Sequence, residues 1–325
     1  MASGSQKREL RTGLFLSVSV AVAVAVFFAP FGNWRDAKIV SMAWTTAPPV
    51  VIGGNSVLKH ISACDSDQRH IADFMSADLG VGVTDLSYGG QTLIEQVAYL
   101  GAALRNPHVR VVIAAAALSD FMPGPLPSLR RRLLFGLTSP VAGLVSPAGA
   151  GSVTEAIMGR DLPVNFDYAG EHFPSYEYIK QKYFLVEQTN ERCPEADGTN
   201  MRFVAAIYYG VLVAPELDPG AVTLVAALSR AATAHGKEFM VVIQPLDSQL
   251  VARLDPGWID PIERKRQKLI QSLQAAGVHA LDLTEKIPNG MFADRWCACG
   301  HLQQEGRSET ARWIVHSIGD TSLKH

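Results

Sequence analysis

The sequence predicts an α/β fold, a three-layer doubly wound parallel sheet, on three observations. First, short apolar runs alternate with longer amphipathic stretches from residue 50 onward, which is the pattern of repeated strand-helix units. Second, the runs at 110–116, 238–243 and 278–283 are rich in apolar and β-branched residues, as befits strands buried on both faces. Third, the 325 residues are 48% hydrophobic and 18% charged, enough for one sizeable core. One domain over 50–325, carrying an insertion at about 121–202, fits these facts better than two independent domains.

The first elements precede the sheet. Lys7, Arg8 and Arg11 stand before a chargeless run of Val, Ala, Leu and Phe over 13–29, followed by Pro30, Gly32, Asn33 and Trp34. Such a run reaches across a bilayer, near the short end of the roughly 17–25 residues a spanning helix uses. The upstream basic residues favour a cytoplasmic tail at 1–12, a transmembrane anchor at 13–32 and an exported body, although Arg35 and Lys38 blunt the asymmetry. A cleaved signal peptide is the rival, against which stand the length of the run and the lack of a clear Ala-x-Ala site at its end; a buried core helix is a third reading. Residues 33–49, ending in two threonines and two prolines, read as a linker.

Val50-Val51-Ile52-Gly53-Gly54-Asn55-Ser56-Val57 then reads as a buried strand that stops at two glycines and delivers a serine to a helix start. Apolar residues at three-to-four spacing carry the predicted helix over 56–79. Unpaired N–H groups and the helix dipole there would stabilise an oxyanion, while the plain alternative is a serine that only caps a helix. A second strand is predicted at 82–87, followed by Tyr88-Gly89-Gly90-Gln91-Thr92 and a helix to about 104. The strand at 110–116 ends in Ala117-Leu118-Ser119-Asp120, of which Asp120 suits a cap or a loop contact.

The insertion contains Pro123, Pro125 and Pro127, then Arg130-Arg131-Arg132-Leu133-Leu134-Phe135, suited either to an anionic membrane surface or to a solvated helix face. Its later aromatic residues, Tyr168, Phe173, Tyr176, Tyr178, Tyr183 and Phe184, fit a glycan or acyl groove or a satellite core. Regular structure returns with a helix at 217–234, stopped by Gly236, and a strand at 238–243. Gln244-Pro245-Leu246-Asp247 follows at the edge where open parallel sheets bind ligands. Gln244 and Asp247, together with Asn55 beside the serine, are therefore substrate-contact candidates, turn formation being the alternative for the first two. A charged amphipathic helix over 260–276, closed by Gly277, leads to the last strand at 278–283. An amphipathic helix at 308–318 closes the domain.

A formal charge of −2 gives no nucleic-acid footprint, and no zinc-finger spacing or phosphate-binding glycine loop occurs. Cys64, Cys193, Cys297 and Cys299 are even in number and can make two disulfides in an oxidising compartment. One pairing joins Cys64 to Cys297 or Cys299 and the other of these to Cys193; zinc binding or buried thiols are the alternatives. A metal-dependent hydrolase built on His60 and His70 is weakly supported, since their spacing fits no compact ligand motif.

With a serine after the first strand and His301 just before the last helix, the layout resembles the SGNH/GDSL hydrolase family, whose sheet is flavodoxin-like. It is also similar to membrane-anchored relatives such as the D-alanyl transfer protein of teichoic-acid modification. The resemblance covers about residues 48–318 and rests on short motifs. It implies Ser56 as nucleophile, His301 as general base, and an oxyanion hole from the N–H groups of Ser56 and Gly90. It places Ser119 where the family has an asparagine donor; a serine hydroxyl can donate but is shorter. Three residues before the histidine, where the family has an acid, stands Ala298. Either Asp294, the nearest acid, orients the imidazole across a longer loop, or a Ser-His dyad works without it.

The chemistry explains the pairing: a serine hydroxyl attacks at neutral pH only if a base takes its proton, and an imidazole can accept and return one. The resulting expectation is an extracytoplasmic serine esterase or O-acyltransferase, single-pass in the cytoplasmic membrane with its catalytic domain in the periplasm or outside. The chemistry needs no cofactor. The family resemblance implies an acylated polysaccharide or cell-envelope glycan as substrate and a membrane-bound O-acyltransferase as partner. The competing expectation is a catalytically inactive protein on the same scaffold that binds glycan or a membrane partner, with Ser119 and Ala298 as signs of lost chemistry.

Overall fold

The computed structural model describes residues 34–62, 65–122, 217–254, 256–293 and 300–319. The expected anchor at 13–32, most of the insertion, all four cysteines, Asp294 and Ala298 lie outside these residues. Among the described residues no helix is long and apolar enough to cross a membrane.

The sheet has five strands, all parallel: β1 (Val50–Gly54), β2 (Val83–Asp85), β3 (Val111–Ala116), β4 (Glu238–Ile243) and β5 (Ala280–Asp282). Their spatial order is β2-β1-β3-β4-β5, with Gly54 opposite Ala115 and Ala116 opposite Ile243. Side chains alternate across this sheet and sort into two cores. Val51, Val112, Ala114 and Val241 face one core, while Val50, Ile52, Val111, Ile113 and Val242 face the other. Each fully buried aliphatic side chain contributes roughly 1.5–3 kcal/mol of transfer free energy, which is why these runs form the centre.

Helices cover both faces. On the first lie α1 (Trp34–Thr45), the later α4 (Leu93–Ala103), α5 (Pro219–Ala234) and α7 (Ile259–Ala275). On the second, α3 (Ile71–Leu79) packs against α8 (Gln304–Ile318). Two short helices, α2 (Ser56–Lys59) and α6 (Ser248–Leu254), follow β1 and β4. The α/β class and the all-parallel sheet are thus as the alternation of apolar and amphipathic runs predicts.

Two stretches differ from expectation. Residues 33–49 are not mainly a linker: α1 buries Ile39, Val40 and Ala43 against α4, and its wholly buried Asp36 accepts a hydrogen bond from the Tyr99 hydroxyl at 3.0 Å. The predicted helix over 56–79 breaks into α2 and α3. His60 leaves helical geometry with ψ of 132°, and the polar run from Asp65 to Arg69 is drawn onto the start of α8 instead. The guanidinium of Arg307, with no exposed surface, donates to Asp65 Oδ2, to the carbonyls of Asp67 and Arg69, and to Leu302 O. A new helix then starts where the Asp73 carboxylate accepts the His70 N–H at 2.8 Å.

Candidate active site

The site begins where β1 ends. A Cβ on Gly54 would stand 2.6 Å from Leu58 Cδ1 and 3.0 Å from Ala115 O, so only glycine lets the chain turn this tightly against β3. Asn55 caps the turn, its Oδ1 accepting the Val57 N–H at 3.0 Å. Ser56 is the first residue of α2, and the His60 N–H closes that single turn on Ser56 O at 2.6 Å. The long dipole expected behind Ser56 is therefore reduced to one turn, which leaves individual N–H groups rather than a macrodipole to hold an oxyanion.

His301 approaches from the other end of the chain. Its Nε2 lies 2.9 Å from Ser56 Oγ, although the residues are 245 positions apart, and both side chains are half-buried. The histidine sits on a short antiparallel ribbon: Ala293 N–H donates to His301 O at 2.8 Å, Phe292 pairs with Leu302, and Gln303 N–H donates to Met291 O at 2.8 Å. Gly300 enters this ribbon with φ of +77°, and a Cβ there would stand 3.0 Å from Pro245 O. The His60 ring stacks on the His301 ring, with centroids 4.2 Å apart and planes 15° from parallel.

The other site candidates lie on the same C-terminal edge of the sheet. The Tyr88 N–H donates to Gly54 O at 3.3 Å, which ties the loop of Gly90 to the end of β1. Gly90 is exposed and has φ of +73°, a left-handed conformation that glycine adopts without strain. Arg35 lies over the Tyr88 ring at 3.9 Å, and burial pushes the Tyr88 hydroxyl up to about 12, so it stays protonated. Ser119 belongs to a 3₁₀ turn, Leu118–Phe121, directly beyond β3. Asp120 caps that turn, its carboxylate accepting the Ala117 N–H at 2.9 Å; burial pushes its pKa up to about 7 against the pull of that donor.

Gln244 is buried at the end of β4 and turned inward. Its Nε2 donates to Asn55 Oδ1 and to Ala115 O, each at 3.0 Å, so it braces the residue before Ser56. Asp247 is also buried and starts α6, its carbonyl accepting the Val251 N–H. Order β2-β1-β3 places the reversal of winding between β1 and β3, and Ser56 stands at that point, where open sheets bind ligands.

Ser56, His301, Asn55 and Gln244 are thus directly connected, and the Gly90 loop is joined to them through Gly54. Ser119 and Asp247 lie on the same edge of the sheet. Sequence reasoning missed the stacking of His60 and the buried clamp of Arg307; neither leaves a local signal, since each partner is far away in the chain. Among the described residues no three His, Cys, Asp or Glu side chains are grouped to hold a metal. No known protein-family model matches the chain, and no curated protein is significantly similar to it.

Proposed function

We propose that the protein is a serine acyl esterase or O-acyltransferase of the SGNH type, working through an acyl-enzyme. The observation that carries this reading is the 2.9 Å contact between Ser56 Oγ and His301 Nε2 at the reversal point of a parallel sheet. A serine paired this way with an imidazole is the arrangement that nucleophilic acyl transfer requires.

In this scheme Ser56 Oγ attacks the ester carbonyl carbon while its proton passes to His301 Nε2. The carbonyl oxygen becomes an oxyanion held by the N–H groups of Ser56 and Gly90, with the Ser119 hydroxyl as a third donor. Collapse breaks the bond to the leaving alkoxide, which takes the proton back from the imidazolium. Water or a sugar hydroxyl then attacks the acyl-enzyme by the reverse route. Asp294 is the proposed orienting acid, a role supported by its neighbour Ala293, which is hydrogen-bonded to His301. We assign an acylated cell-surface or exported polysaccharide as substrate, the segment at 13–32 as a membrane anchor that places this domain outside the cytoplasmic membrane, and a membrane-bound O-acyltransferase as partner.

The test is covalent labelling of the full-length protein in detergent by a fluorophosphonate probe, with release of 4-nitrophenol from 4-nitrophenyl acetate beside it. Labelling of wild type, lost in Ser56→Ala and reduced by several powers of ten in rate in His301→Ala, is the expected result. A wild type as inert as Ser56→Ala to both reagents overturns the catalytic reading in favour of an inactive binding protein. Probe labelling without ester turnover selects the transferase over the esterase.

A further inference from the structure

We propose that His60 is a positioning residue for His301, a flat plate that holds the imidazole in the one orientation from which Nε2 faces Ser56. The inference rests on the acyl-transfer reading of the site and goes beyond it, because nothing in that scheme assigns His60 a task.

A histidine ring attached through an sp³–sp² bond turns over a broad, shallow torsional well. The hydrogen bond to Ser56 Oγ fixes where Nε2 is, and a flat surface against the ring face opposes tilt of the ring plane about that contact. His60 supplies that surface at a centroid distance of 4.2 Å and an angle of 15°. His301 is thereby held by its edge against Ser56 Oγ and by its face against His60.

The plate is built from the same turn as the nucleophile. Ser56 opens α2 and His60 closes it, and the His60 N–H bonds to Ser56 O at 2.6 Å. Any movement of the turn therefore carries Ser56 and His60 together, so the reference surface for His301 moves with the atom it must reach. His60 ends the turn with φ of −71° and ψ of 132°, so the chain beyond it leaves the helix path while its side chain stays on the turn that carries Ser56.

The test compares full-length wild type, His60→Ala and His60→Phe by the rate of fluorophosphonate labelling, by kcat and KM on 4-nitrophenyl acetate, and by Tm. Phenylalanine keeps a flat face and has no ring nitrogen. Loss of alignment of the reacting groups by about 1 Å slows catalysis on the order of 100-fold. We expect His60→Ala to lower labelling rate and kcat by roughly tenfold or more, with KM little changed, and His60→Phe to restore most of both.

Equal labelling of His60→Ala and wild type overturns the inference and leaves the acyl-transfer reading intact. Failure of His60→Phe to rescue, at a wild-type Tm, also overturns it, because the ring nitrogens and not the face would then matter. If His60→Ala does not fold, His60→Phe decides alone: near-wild-type labelling supports the plate, and loss of labelling refutes it. A wild type that no probe labels removes the acyl-transfer reading and this inference together.

Discussion

Arg307→Met offers the sharpest test of how the histidine loop is held. Arg307 has no exposed surface, and its guanidinium reaches Asp65 Oδ2 at 2.5 Å, Asp67 O at 2.6 Å, Arg69 O at 2.9 Å and Leu302 O at 3.2 Å. Asp65, with its side chain only 9% exposed, also accepts the Gln304 N–H through its other oxygen. Methionine keeps an unbranched apolar stem but leaves the Asp65 carboxylate buried without its cation and three carbonyls short of a donor. Removing one partner of a buried ion pair costs about 3–5 kcal/mol. At about 2–4 °C per kcal/mol for a domain of this size, Tm should fall by roughly 6–20 °C. Thermal unfolding followed by circular dichroism, with reversibility checked, reads this directly. A fall of less than about 2 °C, equivalent to no more than about 1 kcal/mol, refutes the clamp. The double variant Asp65→Leu/Arg307→Met should be less destabilised than the sum of its single variants, since no charge is then left alone.

Two further outcomes follow from the geometry. Gly300→Ala places a side chain at φ of +77° and 3.0 Å from Pro245 O, and the left-handed conformation alone costs an L-residue about 1–2 kcal/mol. Its Tm should drop and its probe labelling slow, whereas Gly290→Ala, with nothing within 4 Å of the added Cβ, should behave as wild type; equal effects would refute the argument. Asp120, with a folded pKa of about 7 against an ordinary 3.8, keeps a proton in the native state that the unfolded chain has released between these values. Wild-type stability should therefore fall as pH rises through that window and level off above it. Asp120→Asn should gain in Tm relative to wild type from pH 4 to pH 8; a constant offset across that range would contradict the burial argument.

Much of the site was legible because its signals are local. A β-branched run ending in two glycines marks a strand end, and a lone histidine before an amphipathic segment marks the entry to a last helix; the structure brings the two to 2.9 Å. Strand β4 matches its predicted bounds because both ends are set by local chemistry, Gly236 before it and Pro245 after it. The helix predicted over 56–79 fails for the opposite reason. Its apolar spacing continues through His60 and Ile61, but the acceptors of Asp65, Asp67 and Arg69 are claimed by Arg307 from across the chain. Gln244 reads as a residue at a ligand-binding edge, and only the fold shows that its Nε2 donates to Asn55 Oδ1 and Ala115 O.

By itself the sequence determined the α/β class, the order of the central strands along the chain, and the glycines at which the backbone must turn. Those follow from hydrophobic periodicity and backbone sterics, which act over a few residues. Tertiary structure alone decided that α1 belongs to the core, that the serine helix is one turn long, that His60 faces His301, and that a buried arginine ties residues 65–69 to the last helix. Each of these depends on groups far apart in the chain meeting in a place without water. There an unmet hydrogen bond or an unpaired charge outweighs the weak local preference for continuing a helix.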